Sequence, residues 1–164
     1  MCVIFLYKDV ISLEDKYYME EAIKEAEKAY KEGDVPVGAV LVYNDKIIVK
    51  NHNRKEINRN AIDHAEILVI KEACEQFQNW HLEECTLYVT LEPCLMCAGA
   101  IIQSRIKKLV YATSSPKFGY IESLSKMTNE KNNHIPIIEK GVCEIEASNL
   151  LKKFFKDKRG QMKD

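Results

Sequence analysis

Along this chain the spacing of apolar residues switches repeatedly between helical and strand periods, and few folds accommodate that order. Ser12, with Asp15 three residues on in SLED, reads as a capping box. Met19, Ala22, Ile23, Ala26 and Tyr30 follow at helical spacing, and Gly33 ends the run. VPVGAVLVY and KIIVKN then flank Asn44-Asp45 and predict a β-hairpin, although Asn-Asp is a weaker turn signal than Asn-Gly. HNRKEINRNAID has no hydrophobic periodicity and reads as a loop. HAEILVIKEACEQF predicts a helix, CTLYVTLE a strand, CLMCAGAIIQSRI a helix and KKLVYAT a strand. Residues 113–136 are irregular, VCEIEA predicts a strand, and Ala147, Leu150, Leu151, Phe154 and Phe155 form the apolar stripe of a last helix. The resulting order, α-β-β-α-β-α-β-β-α, argues for an α/β sheet covered by helices.

The 164 residues suffice for one domain with a substantial core, and no internal repeat, low-complexity tract or linker divides them. A hydrophobic share of 46% and a charged share of 30% fit a soluble globular protein and exclude a disordered one. The net charge of −1 provides no global basic field, so any nucleic-acid contact must come from local patches. No apolar run reaches the length of a membrane span, and MCVIFLYKDVI lacks the basic start and small-residue site of a secretory signal. We therefore expect a cytoplasmic protein with reduced thiols. In that setting clustered cysteines among Cys2, Cys74, Cys85, Cys94, Cys97 and Cys143 more often bind metal or do chemistry than form a disulfide framework.

Cys94 and Cys97 stand three apart at a predicted helix start, just after Pro93, so they share one face and can share one ion. The helix N-terminus favours thiolates. A redox pair or two packed thiols would show the same spacing. Candidates for a third ligand are His52, His64, His81, His134 and the other cysteines. A lone histidine at a helix start is more often a surface or capping residue, but His64 has Glu66 two residues later. A His-x-Glu opens one helix, and a Pro-Cys-x-x-Cys opens another 30 residues further on, with a strand between. Two helix starts at one sheet edge direct their first turns at one place. One histidine and two cysteines leave the fourth tetrahedral position for water, which marks a catalytic zinc rather than a closed structural one. Zinc lowers the pKa of its water from about 15.7 toward about 7. Glu66 is then free to act as general acid and base, where its ordinary reading is a first-turn acid on the helix dipole.

H-x-E with P-C-x-x-C is the signature of the zinc deaminases. Beyond the motif, the runs GDVPVGAVLV, NHNR, HAEI, LYVTLEPCLMCAGAIIQSRI, SPKFG and NLLKKFFKDKRG resemble the bacterial tRNA-specific adenosine deaminases, in the cytidine/deoxycytidylate deaminase superfamily. The resemblance runs from about Ser12 onward and leaves residues 1–11 as an unassigned leader. It implies one zinc-dependent deaminase domain over 1–164, with a three-layer α/β/α fold and a five-stranded mixed sheet. It also implies a homodimer, and conversion of the wobble adenosine of a tRNA anticodon to inosine. The small and apolar run AGAII on the helix from Cys94 is where that dimer is expected.

Carried over by position, the resemblance makes His64, Cys94 and Cys97 the ligands of one zinc per chain and Glu66 the proton carrier. Asn53, otherwise a turn former, matches the asparagine that hydrogen-bonds the flipped base, and the Ala65 backbone is expected at the base edge. Ser115 and Lys117 fall in the substrate loop, where many relatives have an acid at the place of Ser115. From Lys152 to Asp164 six basic and two acidic residues give a local net charge of +4, and Lys156, Lys158 and Arg159 are expected to grip the RNA backbone. The metal motif is shared with deaminases of free nucleobases or nucleotides (guanine, cytosine or deoxycytidylate), which are the alternative. A non-enzymatic RNA-binding subunit could keep the ligands and lose the acid, and Glu66 argues against it.

Overall fold

A computed structural model describes residues 12–127 and 131–161, so the leader, Cys2, Lys163 and Asp164 lie outside the described residues. Helix α1 (Leu13–Lys31) starts as expected: the Ser12 side chain accepts the Asp15 N–H at 2.9 Å. Its buried stripe of Tyr18, Met19, Ala22, Ala26 and Ala29 lies on the sheet. Gly38, the first residue of β1 (Gly38–Tyr43), allows that approach. A Cβ there would stand 2.0 Å from the Ala22 carbonyl oxygen. The hairpin to β2 (Lys46–His52) turns through Asn44 and Asp45 at φ +47° and +57°, the two left-handed positions of a type I′ turn.

After the single-turn α2 (Lys55–Asn58) come α3 (Ala65–Phe77), β3 (Thr86–Leu91), α4 (Leu95–Gln103) and β4 (Lys108–Thr113). The five-stranded sheet has the order β2-β1-β3-β4-β5, antiparallel around β1 and parallel from β3 to β5. Strand residues alternate between two cores. Ala39, Leu41, Leu87, Val89, Leu109 and Tyr111 pack with Val69 and Ala73 of α3 and Ala98 and Ile101 of α4. Val40, Val42, Tyr88, Val110 and Ala112 pack with α1 and with Ala147. The result is the expected three-layer α/β/α architecture with a mixed sheet. Among the described residues no helix is long and apolar enough to cross a membrane.

Two expectations need correction. The fifth strand is β5 (Ile137–Lys140), not VCEIEA, because φ of +92° at Gly141 and +55° at Cys143 break extended backbone there. The chain enters α5 (Glu144–Gln161) at once and leaves Ile145 73% exposed. β5 escaped notice because it is a four-residue edge strand with mixed burial. The loop after β2 also contains the short α2, whose four residues include no buried one.

Candidate active site

His64 and Cys94 are the N-cap residues of α3 and α4, the position where a side chain normally accepts a helix N–H, and neither does so. At α3 the work is done from another element: Asn53 Oδ1, just past β2, accepts the Ala65 N–H at 2.9 Å. Both capping side chains are therefore free to face each other. His64 Nδ1 lies 3.7 Å from Cys94 Sγ and 3.6 Å from Cys97 Sγ, and the three ligand atoms fall within 4.8 Å of one another. Bonds of about 2.3 Å to sulfur and about 2.05 Å to nitrogen around a tetrahedral zinc put sulfur and nitrogen about 3.6 Å apart. The observed separations fit that ion.

The electrostatics point the same way. Cys97 donates to Cys94, which pulls the Cys94 thiol far below its ordinary value and pushes the Cys97 thiol far above. Two thiolates side by side would suit a divalent ion. The Cys94 contact also raises His64. Glu66, 4% exposed, is pushed up to about 7 chiefly by burial, against the downward pull of its own N–H and of His64. The other candidate histidines are engaged elsewhere: His52 between Glu25 and Glu32, His81 with Glu83, and His134 on the Ile106 carbonyl. Cys74, Cys85 and Cys143 are free thiols outside the cluster.

The triad opens into a cavity of about 870 Å³. Asn53, His64, Glu66 and Cys94 belong to its lining, with Val35, Val37 and Leu91 as apolar walls. Cations line it too: Lys55, Lys117, Lys152 and Arg159, none in an ion pair among the described residues. Phe118 and Phe155 join them, 70% and 46% exposed. Of the residues expected to bind substrate, Asn53, Ser115, Lys117 and Arg159 are brought to the cavity. Ala65 is not part of its lining, and its N–H is committed to Asn53. Lys156 and Lys158 are exposed on α5 away from the lining, with Lys158 Nζ 5.6 Å over the Phe154 ring.

Sequence reasoning passed over Lys55, Phe118 and Glu92. Glu92 carried a signal, as an acid closing a β-branched strand directly before the Pro-Cys turn. Lys55 and Phe118 sit in stretches without periodicity and carried none.

The MafB19-like deaminase family matches residues 13–159. A tRNA-specific adenosine deaminase of Bacillus subtilis (strain 168) is 48% identical over 151 residues, spanning 92% of this chain and 94% of its own. A structure from biochemical and structural studies of A-to-I editing by tRNA:A34 deaminases superposes with a TM-score of 0.80 at 40% identity, over 82% of this chain and 99% of the other. A guanine deaminase from Nitrosomonas europaea has a TM-score of 0.71 at 22% identity, over 88% and 85% of the two chains, and shares the fold alone. The chain belongs to the MafB19-like deaminases and, among them, to the family of the tRNA-specific adenosine deaminases.

Proposed function

We propose that this protein deaminates the wobble adenosine of a tRNA anticodon loop to inosine, with one zinc held by His64, Cys94 and Cys97. The observation that carries the reading is the make-up of the cavity: a candidate ligand triad beside a buried carboxyl, in company with four cations that have no ion-pair partner among the described residues. A free base would need only the triad and the carboxyl. Cations that keep their charge unpaired suit a polyanion, and anticodon bases are single-stranded and can be turned into a pocket at modest cost.

Two sulfurs and an imidazole nitrogen are the donor set zinc favours. When bound, zinc lowers the pKa of water toward about 7 and so supplies a nucleophile at neutral pH. The chain's own residues do the rest. Val35, Val37 and Leu91 give the flat purine an apolar seat. Asn53, its oxygen committed to Ala65, has its amide nitrogen left to offer an acceptor on the base. Glu66, poised near neutrality by burial, takes a proton from water and gives it to purine N1, then takes the remaining proton of the oxygen added at C6 and passes it to the amino group, which leaves as ammonia. Adenosine and water become inosine and ammonia.

The reading takes residues 1–164 as one deaminase domain acting in the cytoplasm as a homodimer. Helix α4 supports the dimer: Leu95 is 60% exposed, and nothing lies within 4 Å of where a Cβ on Gly99 would stand. A monomer by light scattering would count against it. The function itself is tested by incubating the protein with an anticodon stem-loop carrying adenosine at the wobble position and measuring inosine. Turnover of free adenine or guanine, with the RNA untouched, would replace this reading by the free-base one.

A further inference from the structure

Glu92 follows β3 and stands two residues before Cys94. It is 3% exposed, and its carboxylate is met entirely by donors from one loop. Oε1 accepts the N–H groups of Ile121 (3.2 Å), Glu122 (2.8 Å) and Ser123 (2.9 Å). Oε2 accepts the Ser115 N–H at 2.9 Å and the Ser123 hydroxyl. A buried carboxylate is costly unless so compensated. With five donors on two oxygens it has little room to bind a metal or move a proton, which separates it from Glu66.

The donors sit at the two ends of a loop, Ser115 on one side and 121–123 on the other. Between them the chain turns on Ser115 O, which accepts the N–H groups of Phe118 (3.3 Å) and Gly119 (2.7 Å). Pro116, Lys117 and Phe118 then line the cavity. The same loop is tied to the metal turn: Tyr120 N–H donates to Pro93 O at 2.8 Å, and Gly119 pairs with Cys94 in an antiparallel bridge. Gly119 leaves room for the carboxylate, since a Cβ there would stand 2.2 Å from Glu92 Oε2.

We propose that Glu92 is a positioning residue for substrate recognition: by gripping both ends of the loop 115–123 against the Cys94 turn, it presents Lys117 and Phe118 to the RNA at a fixed distance from the triad. The assignment rests on the tRNA reading for its substrate. The charge matters as well as the size. In Glu92→Gln one oxygen can still serve residues 121–123, but the amide nitrogen then meets the Ser115 N–H, donor against donor.

The test uses the full chain with its metal and reads four quantities. In Glu92→Gln, hydrogen exchange across residues 113–124 should quicken while metal content stays at the wild-type level. The KM for the stem-loop RNA should rise about tenfold with kcat nearly unchanged, the loss of one buried charge-assisted hydrogen bond. Lys117→Ala should raise KM in the wild type but add little in Glu92→Gln, because the loop no longer places that lysine. Wild-type exchange, loss of metal, a fall in kcat at constant KM, or full additivity with Lys117→Ala would each overturn the assignment. If Glu92→Gln does not fold, Gly119→Ala attacks the same contact from the loop side and must give the same pattern. Should the wild type fail to deaminate RNA, the tRNA reading falls, and exchange with metal content still decides whether Glu92 holds the loop.

Discussion

At the triad, every side chain of the proposed chemistry sits within one turn of a helix start or next to a strand end, and Asn53, Glu66 and Cys97 are 5%, 4% and 0% exposed. Among the cations and rings of the same cavity, Phe118 and Phe155 are 70% and 46% exposed, and Lys117 and Arg159 lie open to solvent without ion-pair partners among the described residues. The triad gains its geometry from the helix starts: one side-chain oxygen, on Asn53, caps α3 and leaves His64 to face Cys94 and Cys97. The second group needs no such precision. A cation that meets a phosphate works through charge, and keeping it hydrated avoids the desolvation cost that burial would impose. On the proposed reading, chemistry and recognition are built by different physical means within one cavity.

The largest effects are expected at the triad, and two substitutions there should differ in kind. Cys97→Ser removes a soft ligand, so metal analysis should show most of the zinc gone and deamination with it. Glu66→Gln keeps the shape and removes the proton carrier. It should retain metal and lose about 10²–10⁴-fold in kcat. Full metal retention in the serine variant, or near wild-type turnover in the glutamine variant, would undo the division of labour between ligands and acid.

Smaller effects are expected from the cations, and the structure divides the C-terminal ones into two sets. Lys152 and Arg159 line the cavity, whereas Lys156 and Lys158 do not. Replacing the first pair by alanine should weaken RNA binding and make the salt dependence shallower, by about 0.7 in slope for each lost single-strand phosphate contact. Replacing the second pair should do less, with metal content and Tm unchanged in both. Equal losses from the two pairs would mean that α5 acts as a diffuse field rather than as part of the cavity.

The contrast also explains how much was legible in the sequence. The clustering of His64, Cys94 and Cys97 was, because their helix-start positions leave a mark in the spacing of the histidine and the two cysteines. The layers were, because strands buried on both faces and amphipathic helices have distinct periods. β5 was misplaced, since a four-residue edge strand has too little burial to imprint a period and VCEIEA alternates by accident of composition. Lys55 and Phe118 went unseen for a related reason. Their positions depend on where irregular backbone happens to pass, and the loop that places Phe118 is held by Glu92, 23 residues earlier than the nearest donor, Ser115.

The smallest effect lies behind the triad, in the support of Asn53. His52, its neighbour at the end of β2, is 7% exposed, with Nδ1 2.8 Å from Glu25 and Nε2 3.0 Å from Glu32. Glu25 is itself 3% exposed and accepts from Lys28 at 2.6 Å. Burial alone would raise the Glu25 carboxyl, but Lys28 and His52 outweigh it and hold the group below its ordinary value of 4.5. A folded-state value below the unfolded one means stability that is fully present above about 4.5 and is lost as pH falls through the folded value. Acid should therefore loosen α1 from the end of β2, and with it the strand end that carries Asn53. Glu25→Gln should cost about 1–3 kcal/mol near neutral pH and flatten the acid limb of a stability-versus-pH curve, because the titrating partner is gone. The cations of the cavity are far from this support in kind, so RNA salt dependence measured at neutral pH should not move. A variant that kept the wild-type acid limb would show that Glu25 does not couple α1 to the active-site strand.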